Sequence, residues 1–237
     1  MILLLLLLGT KMKNNIIATE FTGKPIRKIG IQTRSITGRV PTGQKYESSL
    51  ERDLMILLMF DDNVSIYTPQ PITISYQENE NNTWRKYTPD GLIEWHNHDC
   101  LQRKPILLEV KYREAFKDGN WKGLLKKFRA AKSYAQIQGW DFKIYTEDDI
   151  RTPLLENIKF LNRYTDIADP HCFQLVIMDQ LEKIKNSTPT ALLESIFQDK
   201  WNQAKALPII WSLIARRVIC CDLSTTLTMN SNIWIIK

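Results

Sequence analysis

Hydrophobic side chains recur along the chain with two different periods. In the first predicted helix, from about Ser49 to Met59, apolar positions recur every three or four residues, and Ser48 and Glu51 match a capping box. Short runs rich in β-branched and aromatic residues follow, and the polar stretch 77–83 predicts a hairpin loop among them. These runs predict strands at Val64–Thr68, Pro71–Tyr76, Lys86–Trp95 and Pro105–Tyr112.

Helical spacing returns after these strands. It predicts a helix from about Trp121 to Gln138, ended by Gly139, and another from Thr152 to Tyr164. A strand at Phe142–Tyr145 separates the two helices. Because helices and mostly antiparallel strands alternate in this order, we expect an α/β core with a mixed sheet flanked by helices.

The C-terminal segment has a different pattern. It is mostly helical as far as Leu207, with one helix opened by Thr188-Pro189, and another helix is expected from about Pro208 to Arg217. The β-branched tail that follows predicts a short hairpin. Two or three helices and a hairpin are the outline of a small winged-helix-like domain. We therefore predict three regions: a leader and basic arm at 1–45, an α/β domain at 46–168 and the C-terminal domain at 169–237.

Charge and composition add most at the N-terminus. The chain has a net charge of +6, and residues 11–45 carry eight Lys or Arg and one acid, which is typical of a solvated linker or of a segment lying along phosphates. The apolar run Ile2–Leu8 is too short to span a bilayer and lacks the flanks of a signal peptide. We expect an unstructured leader there, or a true start at Met12. Four cysteines without a CxxC pair indicate a reducing compartment, and we expect a cytoplasmic protein without membrane spans.

Two acids and a lysine stand out among the predicted strands. Eighteen residues separate Asp90, which follows a proline, from Glu109, and Lys111 shares a strand face with Glu109. Charges on an otherwise apolar strand are costly unless they are paired or bind a metal. If the two strands are antiparallel neighbours, the carboxylates lie close together, and Mg²⁺ or Mn²⁺ would relieve their repulsion. A surface Glu–Lys pair and a turn aspartate are the alternative reading.

This arrangement is the PD-(D/E)xK nuclease pattern. In it a metal ion lowers the pKa of a water, and the lysine orients that water or stabilises developing negative charge. Glu51 is the third candidate acid, because a helix upstream of the sheet often supplies one to such sites. The capping box explains Glu51 equally well, and Glu47 is the fallback.

Basic residues near this pattern suit a DNA substrate. They recur at helical spacing in the second predicted helix and just before it, and they could contact phosphates without reading sequence. A solvated amphipathic helix is the alternative. The predicted DNA-binding residues are Arg113, Lys122, Lys126 and Arg129.

Several motifs, in order, resemble the TnsA endonuclease subunit of heteromeric transposases. The resemblance covers about Arg34–Tyr164 and returns in the C-terminal segment, but it offers no counterpart for the apolar leader. It rests on Glu47–Asp53 (ESSLERD), Val64, Gln70-Pro71, Tyr87–Gly91 (YTPDG), Leu107–Tyr112 (LLEVKY), Tyr145–Pro153 (YTEDDIRTP), Ala206–Pro208, Trp211–Ala215 and Asp222.

The resemblance implies a fold, an activity and partners. A restriction-endonuclease-like domain at 46–168 would cut the 5′ strand at transposon ends with Mg²⁺, for which Mn²⁺ could substitute. A TnsB-type DDE transposase would cut and join the 3′ ends, and a TnsC-type AAA+ ATPase would contact the C-terminal domain. Matching motifs assign catalysis to Glu51, Asp90, Glu109 and Lys111, and metal binding to Glu51, Asp90, Glu109 and Val110.

Two other functions stay open from the sequence. The nuclease-like fold could be a non-catalytic scaffold that bridges DNA and an ATPase, although a scaffold has no need for charges on a buried strand. A stand-alone restriction enzyme or junction resolvase is the other, although neither needs the helical C-terminal segment.

Overall fold

A computed structural model describes residues 16–24, 38–39, 45–77, 83–96, 103–117 and 121–235. They form two compact units that meet in sequence between Ile150 and Arg151. The predicted leader, the possible start at Met12 and residues 78–82 of the predicted hairpin loop lie outside the described residues. The division falls earlier than the predicted boundary at 168, because Leu161 is buried in the core of the second unit.

The first unit has the expected α/β composition. Its elements are β1 (Ile16–Ala18), β2 (Gly38–Arg39), β3 (Lys45–Tyr46), α1 (Ser49–Phe60), β4 (Val64–Pro69), β5 (Ile74–Gln77), β6 (Trp84–Tyr87), β7 (Gly91–Trp95), β8 (Ile106–Val110), a 3₁₀ turn (Arg113–Phe116), α2 (Trp121–Gln138), β9 (Asp141–Tyr145) and α3 (Glu147–Ile150).

The central sheet of this unit has the order β4-β7-β8-β9. The pairs β4–β7 and β7–β8 are antiparallel and the pair β8–β9 is parallel, so the predicted mixed sheet is confirmed. Leu92, Ile93, Leu107 and Leu108 are fully buried. Both faces of β7 and β8 are therefore covered, which explains why their sequences are nearly continuous apolar runs.

A second sheet has the order β1-β5-β6, and its buried residues share one core with those of the central sheet. Helix α2 packs against β5 and β9, and its buried residues Phe128, Ala131 and Ala135 share one core with Ile74 of this sheet and Leu107 of the central sheet. A helix with a small-residue face can approach both sheets closely. Helix α2 therefore covers the region where the two sheets meet.

Two sequence predictions in this unit are corrected. The run predicted as one strand at Lys86–Trp95 is two strands, because the turn at Thr88–Asp90 contains a proline and carries the chain from the second sheet into the central one. Part of the predicted basic arm is also a strand: β1 pairs with β5, and its Ile16 is buried.

The second unit is a winged-helix arrangement. Its elements are α4 (Pro153–Leu161), α5 (Phe173–Ile184), β10 (Asn186–Ser187), α6 (Pro189–Ile196), α7 (Lys200–Ala215), β11 (Cys220–Cys221) and β12 (Ile233–Trp234). The three short strands form an antiparallel sheet of order β10-β12-β11, which includes the predicted C-terminal hairpin. Leu181, Leu192 and Ile210 are buried in its core.

The helix start predicted at Pro208 is wrong, because α7 begins at Lys200 and contains Pro208. Its N-cap is Asp199, whose side chain accepts the backbone N–H of Asn202. A proline inside a helix removes one hydrogen bond, and the burial of Ala206 and Ile210 beside it offsets that cost. In the part of the chain that the structure describes, no helix has the length and apolar character needed to cross a membrane.

Candidate active site

Asp90 lies in the turn between β6 and β7, where the chain passes from one sheet to the other. Its Oδ2 accepts the backbone N–H of Val110 at 2.7 Å, which ties this turn to the end of β8. Its backbone oxygen accepts the N–H of Gln70 at 3.0 Å and the hydroxyl of Tyr67 at 3.3 Å. The next residue is Gly91, and a Cβ atom there would lie 2.4 Å from the buried Tyr67 ring, so a larger residue would have to displace that ring.

Glu109 is the buried acid of the site, with 1% of its surface exposed. It lies on β8, and three side chains donate to its carboxylate. The hydroxyl of Tyr87 donates to Oε2. The ammonium groups of Lys127 and Lys111 lie 2.9 Å and 3.1 Å from Oε1. Glu109 is therefore a paired charge, as its burial requires.

Lys111 follows β8 and places its ammonium among the acids. Its Nζ is 3.1 Å from Oε1 of Glu109, 3.1 Å from the backbone oxygen of Val110 and 3.6 Å from Oδ2 of Asp90. Its backbone N–H donates to the oxygen of Tyr145, which extends the parallel β8–β9 pairing by one residue. The structure thus brings together Asp90, Glu109 and Lys111, as the sequence predicts.

Burial and charge shift the ionisation of this cluster. Burial, together with the neighbouring charge of Glu109, raises the pKa of Asp90 to about 7, although Lys111 acts in the opposite direction. Burial alone would lower the pKa of Lys111, but the charges of Asp90 and Glu109 raise it above its ordinary value. Burial, with Glu109 nearby, also raises the pKa of Tyr87 well above its usual range. The cluster therefore holds a protonated lysine beside an aspartate that binds a proton more readily than usual.

Glu51 completes the predicted capping box of α1. Its backbone N–H donates to Oγ of Ser48 at 3.1 Å, the Ser48 hydroxyl donates back to Oε1 at 3.0 Å, and the N–H of Glu47 donates to Oε2 at 2.9 Å. Among the described residues, no hydrogen bond or ion pair joins Glu51 to Asp90 or Lys111. Their charges still act on one another, and burial raises the pKa of Glu51.

The oxygen atoms around Lys111 suit a divalent cation. The described residues contain no group of three or more His, Cys, Asp or Glu side chains arranged to hold a metal. However, oxygens of Asp90, Glu109 and Val110 all face one ammonium, so this place already favours positive charge. Carboxylate and carbonyl oxygens are the ligands that Mg²⁺ and Mn²⁺ prefer. The donor set therefore fits such an ion, provided that the Lys111 ammonium moves aside.

The predicted DNA-binding residues do not form one group. Lys122, Lys126 and Arg129 are exposed along α2. The guanidinium of Arg113 is paired with Asp148, and its backbone N–H donates to Glu147. An arginine that already has an acidic partner is less available to a phosphate.

Three side chains contact the Glu109 carboxylate, and the sequence analysis identified only Lys111 among them. It missed Lys127 and Tyr87. Lys127 is one of several basic residues of α2, but its side chain is turned towards Glu109, and its ammonium lies 4.9 Å from the centre of the Tyr87 ring. The position next to the buried Phe128, at the edge of the apolar face of α2, was the available signal. Tyr87 was visible only as the first letter of the YTPDG motif.

Two protein-family models match the chain. A family model described as TnsA-like endonuclease N terminal matches residues 61–147, and a model described as TnsA endonuclease C terminal matches residues 149–223. A search of curated proteins finds no match. The two family models meet close to the division between the structural units and together span most of the chain. The chain therefore belongs to the TnsA endonuclease family.

Proposed function

We propose that this protein is the Mg²⁺-dependent endonuclease subunit of a transposase and cuts the 5′ strand at transposon ends. In this role it completes the excision that a TnsB-type DDE partner begins, as cut-and-paste transposition requires. The convergence of three oxygens on the Lys111 ammonium is the observation that supports the proposal. Such a cluster is the expected ligand set of a hydrolytic magnesium site.

Asp90, Glu109 and the backbone oxygen of Val110 would hold the ion. Glu51, at the start of α1, would contribute a further carboxylate if its capping hydrogen bonds to Ser48 and Glu47 were exchanged. When bound, Mg²⁺ lowers the pKa of a water and neutralises charge on the phosphoryl oxygens, and Mn²⁺ supplies the same chemistry.

Lys111 would act on the attacking water and on the phosphate. The raised pKa of Lys111 keeps its ammonium charged at neutral pH, so it can orient the attacking water or stabilise charge on the phosphate. The water oxygen forms the new bond to phosphorus, and the bond to the 3′ oxygen breaks. The products are a 3′-hydroxyl and a 5′-phosphate.

The exposed basic residues of α2 would contact the DNA backbone. Lys122, Lys126 and Arg129 can bind phosphates but carry no sequence information in such contacts. We infer that recognition of the transposon ends belongs to the DDE partner. The winged-helix unit, which matches the C-terminal family model, would contact a TnsC-type AAA+ ATPase.

A reconstituted excision reaction tests this function. With the DDE partner present, Asp90→Asn should abolish 5′-strand cleavage and leave 3′-strand cleavage and joining intact. The matched control is Asp141→Asn, since Asp141 is an exposed aspartate at the start of β9 in the same unit. Full double-strand excision by Asp90→Asn would contradict the proposal.

A further inference from the structure

Lys127 is held in the site by partners from three elements. Its Nζ lies 2.9 Å from Oε1 of Glu109 on β8, 4.9 Å from the centre of the Tyr87 ring on β6 and 5.1 Å from the ring of Phe128 on its own helix. Ring faces attract a cation, most strongly where water is excluded. Only 20% of the Lys127 side chain is exposed. The lysine is therefore built into the site and is not part of the solvent-facing basic stripe of α2.

Glu109 has two cationic partners, although its carboxylate needs only one for neutralisation. Two ammonium groups, from Lys127 and Lys111, contact the same oxygen, Oε1, while Tyr87 occupies Oε2. A divalent cation on this carboxylate would be repelled by both lysines. Lys111 must move aside to admit the ion, and Lys127, whose long stem extends from α2, is a second positive charge that the ion would face at Glu109.

We propose that Lys127 is a second catalytic cation of the nuclease, which holds Glu109 in the DNA-free protein and transfers to a non-bridging oxygen of the scissile phosphate when metal and DNA bind. The inference rests on the proposed function above. Lysine suits such a transfer, because its ammonium is a compact charge with three donors on a flexible stem. The phosphate replaces the carboxylate oxygen that the lysine gives up, so its charge stays paired throughout.

A catalytic Lys127 and a purely structural Lys127 should respond differently to substitution. If Lys127 competes with the metal for Glu109, its removal should strengthen metal binding and weaken cleavage at the same time. A lysine that only braces the fold would weaken or leave unchanged both properties when removed. Tighter metal binding together with slower cleavage therefore identifies a catalytic role for Lys127.

The test uses the full chain with Lys127→Met, with Lys127→Gln, which keeps a donor but loses the charge, and with Lys132→Met as control. Lys132 is an exposed lysine of the same helix. Mn²⁺ affinity is measured by calorimetry well above the pKa of Asp90, thermal unfolding verifies that each variant is folded, and 5′-strand nicking is measured with the DDE partner. We expect both Lys127 variants to bind Mn²⁺ about tenfold more tightly and to nick about a hundredfold more slowly.

Either of two results overturns the inference: Mn²⁺ affinity that is unchanged or weaker in the folded Lys127 variants, or nicking at the rate of Lys132→Met. If Lys127→Met does not fold, Lys127→Gln decides the question alone. An unmutated protein that binds no Mn²⁺ would instead refute the proposed metal site itself, and the role of Lys127 would fall with it.

Discussion

The carboxylate of Asp90 accepts the backbone N–H of Val110 at 2.7 Å. This bond joins the turn between the two sheets to the end of β8 and places Asp90 near Glu109 and Lys111. The site is therefore built by the fold, and its acids are already close together. The nearby charge of Glu109 adds to the effect of burial in raising the pKa of Asp90.

The first prediction concerns pH. The pKa of Asp90 is raised from its ordinary value of 3.8 to about 7, so the folded protein holds a proton that the unfolded chain releases. The contribution of Asp90 to the stability of the metal-free protein should therefore fall by about 3 kcal/mol as pH rises from about 4 to about 7. Denaturant unfolding at several pH values measures this loss, and Asp90→Asn should remove it. A difference in stability between the unmutated protein and Asp90→Asn that does not change with pH over this range would contradict the assignment.

The affinity for Mn²⁺ should also depend on the proton of Asp90, but it should rise with pH, whereas the contribution of Asp90 to stability falls. Mn²⁺ must displace the proton of Asp90, so its affinity should rise with pH up to about 7 and then level off. Calorimetry from about pH 5 to about pH 8 measures this dependence. A flat profile would show that Asp90 is not among the ligands.

Lys111 should be essential for cleavage. Lys111→Met removes the ammonium that faces three oxygens, and we expect 5′-strand nicking to fall by about a hundredfold or more. The control is Lys117→Met, since Lys117 is an exposed lysine after the 3₁₀ turn. Nicking by Lys111→Met at the rate of the control would remove Lys111 from the reaction.

Two substitutions separate the roles of Glu51. Ser48→Ala breaks the capping box and should cost about 1 kcal/mol of stability while leaving nicking unchanged. Glu51→Gln keeps a capping side chain but removes the charge, so it should slow nicking with little change in unfolding temperature. If Glu51→Gln nicks normally, Glu51 is a cap and not a metal ligand.

Gln70, whose backbone N–H contacts Asp90, has two features that destabilise the folded protein. Its backbone lies in the left-handed region with φ of 47°, and its buried Oε1 has no hydrogen-bond partner. Gln70→Met keeps the volume of the side chain and removes the unpaired oxygen, so it should stabilise the protein by about 1 kcal/mol. Thermal unfolding measures the change. A lower unfolding temperature would mean that the carboxamide makes a stabilising contact.

The sequence predicted the elements that carry strong local signals. Helix α2 begins and ends where its spacing and Gly139 indicate, and the capping box of Ser48 and Glu51 forms as expected. The charges on the apolar strand β8 located the site, because buried charges need a partner. The sequence analysis missed the strand break at Thr88–Asp90 although Pro89 marks it, and only tertiary pairing reveals that β6 and β7 belong to different sheets.

Other features depend on packing that the sequence does not display. Helix α7 continues through Pro208 because buried neighbours offset the lost hydrogen bond. Lys127 lies at the edge of the apolar face of α2, where a lysine can face solvent or the core, and local spacing cannot decide between them. Arg113 found an acidic partner in Asp148, which lies far along the chain and is brought close by the parallel pairing of β8 with β9.

The most direct test of the account is the anomalous scattering of a crystal soaked in Mn²⁺. We expect one strong peak between the carboxylates of Asp90 and Glu109 and the backbone oxygen of Val110, with the Lys111 ammonium moved away from that position. A soaked crystal with no peak there, and with Lys111 still in contact with both acids, would contradict it.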